Sequence, residues 1–168
     1  MLELASPFVS GFVHPLHGAD HLAAMLAVGM WGAIAGGRAI RVWPIAFVAM
    51  MLVGFASAVS GIAVPFVDRA ISSSVVVLGL LVALAVNAPL WCGAAVIGLF
   101  AFFHGHVHGT EAATSSLLAY ASGLAIATGA LHAAGIGLCR VGSSSIGRVA
   151  LRTMGAVAAF GGILAMVG

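Results

Sequence analysis

The sequence predicts an all-α integral membrane protein, a compact bundle of six transmembrane helices forming one domain over residues 1–168. Three observations predict it. First, 62% of the residues are hydrophobic and only 6% are charged, where a soluble domain carries about 25% charged residues. Second, the apolar residues fall into runs near the roughly 20 residues that a helix needs to cross the hydrocarbon core. Third, every polar stretch between those runs is short, so no soluble domain or long linker is left over.

The first run, 8–35, is long because it holds a polar turn. The second, 42–66, follows Gly36-Gly37-Arg38 and Arg41. The third, 71–86, follows Asp68-Arg69 and includes three serines. Asn87-Ala88-Pro89 makes a turn, and the fourth run covers 89–108. The fifth covers 113–139. The sixth, 148–167, follows Gly142-Ser143-Ser144-Ser145. Short connections predict that consecutive helices are antiparallel neighbours. Arg38, Arg41, Arg140, Arg148 and Arg152 fall on one side and Arg69 alone on the other. Cytoplasmic loops are the arginine-rich ones, which puts both termini outside. Trp31, Trp43 and Trp91 then lie at the inner interface. The 23 glycines suit close helix packing. Met25, Met30, Met50, Met51, Met154 and Met166 share no stripe and read as packing residues.

Composition excludes several classes. The chain has no lysine and a net charge of +2, too little for a nucleic-acid footprint. No Walker A pattern is present, so this chain carries no ATPase domain. Cys92 and Cys139 lack metal or redox spacing and read as small buried residues. The start, Met-Leu-Glu-Leu-Ala-Ser, lacks the basic region of a signal peptide.

The polar turn in the first run reads His14-Pro-Leu-His17-Gly-Ala-Asp20-His21. On a continuous helix His14, His17 and His21 fall at i, i+3 and i+7, one narrow stripe. Asp20 projects about 60° to the side of His17, within reach of a ring nitrogen or a shared ion. Pro15 cannot donate its backbone hydrogen bond, and Gly18 removes bulk beside the histidines. A second cluster ends the fourth run, Phe103-His104-Gly-His106-Val-His108-Gly-Thr-Glu111. His104 and His108 share a face, Glu111 follows within reach, and His106 points about 160° away. The topology brings both clusters to the outer side. Ionisable groups at membrane depth are costly and mark a pathway or site. Mixed imidazole and carboxylate donors suit borderline divalent ions. His132 sits deep in the fifth run, either an inner relay for an ion or a helix–helix hydrogen-bonding residue. Tyr120, Ser122 and Thr128 line a path or bond their own backbone.

The two motifs together resemble the HupE/UreJ family of bacterial membrane proteins. Its first-helix signature, His-x5-Asp-His, is matched by His14, Asp20 and His21, followed by Ala24-Met25-Leu26-Ala27-Val28-Gly29. Its later signature, Phe-His-Gly-x-x-x-Gly-x-Glu, is matched by Phe103, His104, Gly105, Gly109 and Glu111. The resemblance covers essentially the whole chain. It implies an inner-membrane, multi-pass nickel permease, in some members tied to cobalt, that feeds hydrogenase or urease maturation. It also implies that His14, Asp20, His21, His104 and Glu111 carry the ion. His17, His106 and His108 extend that pattern as auxiliary or loading ligands.

The expected function is therefore transport, not catalysis, of a divalent transition-metal ion into the cytoplasm. Nickel stands first, with cobalt and zinc as alternatives, and no organic cofactor is implied. The ion passes between the first, fourth and fifth runs and leaves near His132. The expected partners are the ion and the lipid bilayer, with a homo-oligomer compatible. The rival readings are an intramembrane His-ligated metalloenzyme, a b-haem protein, and a metal-binding accessory or sensor subunit without flux. The zinc-protease HExxH pattern is absent.

Overall fold

The computed structural model describes residues 6–112, 114 and 116–167. Residues 1–5 of the start read for signal-peptide character and the expected first residue of the fifth run, Ala113, lie outside the described residues. Among the described residues there are seven α-helices and no strand: α1 Pro7–Val13, α2 Ala19–Ala35, α3 Ala39–Val59, α4 Val67–Ala83, α5 Leu90–Thr110, α6 Leu117–Val141 and α7 Ser145–Val167. Of these α3, α5, α6 and α7 are long and apolar enough to cross a membrane. The first run makes a fifth when its two bent halves are taken as one span.

The first run is not one helix. α1 passes through a single 3-10 turn, His14–Leu16, and the chain bends by 81° before α2 starts. Three residues cause the break. Pro15 lacks the N–H that a continuing helix needs. Gly18 is extended, with φ −94° and ψ 118°, and takes the N-cap position of α2. Asp20 follows in the first turn, where a negative charge opposes the positive end of the helix dipole. The expected stripe of His14, His17 and His21 therefore does not form.

Other boundaries also move for local reasons. The second run stops at Val59 and not at residue 66, because Gly61 adopts φ +78° and Pro65 follows. α4 starts four residues earlier than expected. Its Ser73 and Ser74 hydroxyls donate to Arg69 and Ile71 carbonyls and stay inside the helix. With 17 residues, α4 is shorter than the other long helices except α2. α7 starts at Ser145, where the Gly147 N–H donates to the Ser144 hydroxyl.

Consecutive long helices run up and down in turn. The tightest packing, however, joins α3 to α5, and α2 also packs closely on α6; both pairs are parallel and not consecutive. Glycines make this approach. A methyl group on Gly54 would collide with the Phe102 carbonyl, and one on Gly105 with the Met51 carbonyl. The same relation holds between Gly29 and His132, and between Gly135 and Leu26. α4 packs antiparallel on α7 through Gly79 and Gly155.

One end of the bundle carries Arg38, Arg41, Arg140, Arg148 and Arg152, and the other carries the two histidine clusters. The tryptophans correct the expected belt. Trp31 and Trp43 stand at the arginine end but inside the core, their rings 4.3 Å apart. Their indole N–H groups donate to the Val86 and Leu90 carbonyls, which ties α2 and α3 to the turn between α4 and α5. Only Trp91 is exposed.

Candidate metal site

Four histidine rings meet where the start of α2, the end of α5 and the 3-10 turn converge. His21 lies 5.0 Å from His104 and 4.6 Å from His108, centroid to centroid, and His14 lies 4.9 Å from His108. His104 and His108 are one turn apart on α5 and both fully buried. Gly105 presses α5 against α3, and this packing turns the His104–His108 face toward α2.

The second nitrogen of each ring decides what the first can do. Asp20 accepts the Nδ1–H of His21 at 2.8 Å, which leaves Nε2 as a lone pair. The Phe100 carbonyl accepts the Nδ1–H of His104 at 3.0 Å, which leaves its Nε2 as a lone pair. These tautomers follow from the acceptors. Nε2 of His21, Nε2 of His104 and both nitrogens of His108 are buried and have no hydrogen-bond partner among the described residues. Buried polar atoms are paired in the great majority of cases. Three such rings facing one another form a donor set that neutral imidazoles offer to a borderline divalent ion.

The carboxylates stand outside the imidazoles. Glu111 accepts the Nε2–H of His14 at 3.0 Å, across 97 residues of sequence. Donor atoms of His14, His108 and Glu111 all lie within 4.8 Å of one another. Exposure falls inward, from 51% and 41% for the Glu111 and Asp20 side chains to 13% for His21 and none for His104 or His108. An approaching cation meets negative charge first and neutral nitrogen second.

The remaining sequence candidates stand apart. His17, just past the 3-10 turn, is exposed and donates Nδ1–H back to the end of α1, at the Val13 carbonyl. His106 faces α3, as its position on the helix predicts. Its Nδ1–H donates to the Ser57 hydroxyl, which in turn donates to the Gly54 carbonyl. His132 is buried further inward, with its ring against Phe47 and neither nitrogen paired among the described residues. Ser122 bonds its own backbone, at the Leu118 carbonyl. The ring nitrogen within reach of Asp20 is that of His21. The phenol ring of Tyr120 packs on His14 at 5.9 Å and is buried. Phe47 was not legible as a site residue. Its only signal is that it precedes Met51 and Phe55 by one and two turns on one face of α3.

The family model for the HupE / UreJ protein matches residues 1–165. The chain belongs to the HupE/UreJ family. The protein named HupE of Rhizobium leguminosarum bv. viciae is 43% identical over 161 residues, which is 95% of this chain and 84% of that protein. No solved structure matches. The HupE/UreJ motif residues His14, Asp20, His21, His104 and Glu111, distant in sequence, all stand at one end of the bundle.

Proposed function

We propose that this chain moves a divalent transition-metal ion across the bacterial inner membrane into the cytoplasm, with nickel as the first candidate and cobalt and zinc behind it. The observation that carries the reading is the convergence of His21, His104 and His108 with unpaired, buried nitrogens. His14 and Glu111 form the mouth of the site. Asp20 holds His21 in its donor tautomer and adds negative charge beside the cation. Membership in the HupE/UreJ family supports a role in supplying a metalloenzyme, hydrogenase or urease.

The arginine asymmetry supports an outer position for the histidine end and a cytoplasmic position for the arginine end, with both termini outside. A conduit must bind weakly enough to release its ion. Open, partly exposed geometry at His14 and Glu111 suits that better than a closed tetrahedral cage. The chain is not assigned a catalytic role.

The test is metal uptake into proteoliposomes that hold this chain alone, with Ni²⁺, Co²⁺ and Zn²⁺ in parallel. Uptake above protein-free vesicles supports transport. Saturable binding in detergent without uptake into vesicles would replace it with the accessory-subunit reading.

A further inference from the structure

Below the histidine cluster the core is a column of side chains one helical turn apart. On α6 it runs Tyr120, Leu124, Thr128, His132. On α3 it runs Phe55, Met51, Phe47, and on α2 His21, Met25, Gly29. Met25, Phe47, Met51, Leu124 and Thr128 are all fully buried. The Thr128 hydroxyl meets the Met25 and Met51 sulfurs at 3.6 and 3.5 Å, so soft and weakly polar atoms lie in the middle of the column.

Phe47 occupies the decisive position. Its ring centroid is 5.7 Å from that of His104 and 5.0 Å from that of His132. It therefore packs against both an imidazole of the cluster and the isolated imidazole. His132 is 1% exposed, and neither of its ring nitrogens has a partner among the described residues. A buried imidazole with both nitrogens unpaired is costly as a mere packing residue. Its backbone is fixed, because the His132 carbonyl lies against Gly29. The residue lines a cleft of about 440 Å³ between α3 and α6, beside Pro44, Val48 and Gly129.

We propose that His132 is a second, inner station for the divalent metal ion, and that the Phe47 ring is the occluding element between it and the His21–His104–His108 cluster. This rests on the transport reading above. An ion leaves the cluster when the ring turns aside, is taken by His132, and passes toward the arginine end. An aromatic ring suits the role because it excludes water and blocks passage without supplying a ligand that would trap the ion.

The experiment uses the full chain in proteoliposomes and in detergent. His132→Gln keeps size and polarity but removes the imidazole. Its expected result is Ni²⁺ affinity in detergent within twofold of wild type and initial uptake down at least tenfold. Phe47→Leu preserves apolar volume but removes the ring, and its expected result is unchanged affinity with passive Ni²⁺ efflux from loaded vesicles raised severalfold. A further readout does not depend on transport. With His104 and His108 both changed to Ala, weak Co²⁺ binding seen by its visible absorption should remain and should vanish on adding His132→Gln. Uptake of wild-type size by His132→Gln, or unaltered efflux by Phe47→Leu, overturns the inference while leaving transport standing. Absence of uptake by the wild-type chain sinks the transport reading itself.

Discussion

One oxygen of Asp20, Oδ1, accepts both the backbone N–H and the ring Nδ1–H of His21, each at 2.8 Å. The carboxylate sets the direction and tautomer of a ring and, among the described residues, touches no other imidazole by hydrogen bond. Partners of this kind raise ligand basicity, and their loss typically costs about 10–100-fold in metal affinity or activity. Asp20→Asn retains an acceptor oxygen and loses the charge, so the expected cost is about tenfold. His21→Ala removes the donor nitrogen itself and should cost more. Ni²⁺ titration of both purified variants checks the order. Equal losses would mean that Asp20 acts as a direct ligand.

Gly18 guards that same hydrogen bond. A methyl group there would come within 2.8 Å of Asp20 Oδ1 and 2.9 Å of His21 Nδ1. The Gly18 backbone is one that alanine adopts readily. Gly18→Ala should therefore fold and insert normally, while metal affinity falls about as far as in Asp20→Asn. Thermal unfolding and Ni²⁺ titration, measured together, separate the two effects. A loss of stability without a loss of affinity would contradict this.

Two glycines of α6 should behave in opposite ways. Gly135 stands against the Leu26 carbonyl, whereas a methyl group on Gly137 meets nothing. Gly135→Ala overpacks the α2–α6 contact and should cost about 1–3 kcal/mol. Gly137→Ala should be neutral or stabilising by up to about 1 kcal/mol, the helix preference of alanine. Melting of the detergent-solubilised variants reads both.

Uptake should decline as external pH falls from 8 to 5. A protonated imidazole has no lone pair, so protons compete with the metal. Histidine ordinarily titrates near pH 6.5, and loss of affinity is complete only when several rings have charged. A flat profile would mean that no imidazole able to take a proton in this range takes part in binding.

Sidedness has its own check. Thr110 closes α5 at the histidine end and Ser144 lies in the turn before α7 at the arginine end; both are exposed. In a background lacking Cys92 and Cys139, cysteine at these two positions should label from opposite faces. Labelling from one face would undo the bundle direction.

Much of the site was legible because helix α5 is regular. The spacing of His104 and His108 settles their common face, and the same spacing sends His106 to Ser57. The first motif was less legible, since its geometry depends on where the chain stops being helical. Pro15 and Gly18 signal a weakened turn, but not an 81° bend, and spacing alone does not choose which ring Asp20 holds. Tertiary partners were not legible at all. Periodicity says that α3 is apolar all round; it does not say that Phe47 faces two histidines. The short loops made consecutive helices the natural neighbours, whereas matched glycines at equal depth favour α3 with α5 and α2 with α6.

The pair of indoles at the arginine end has an optical consequence. Trp31 and Trp43, 4.3 Å apart and inclined by 37°, are close enough for their excited states to couple, and the third indole, Trp91, faces outward. Their hydrogen bonds to Val86 and Leu90 make that coupling depend on the seating of the α4–α5 turn. The near-ultraviolet circular dichroism of the native chain is thus a built-in gauge of that end. A signal that shifts when metal is added at the other end would register movement through the whole depth of the bundle, with no label attached.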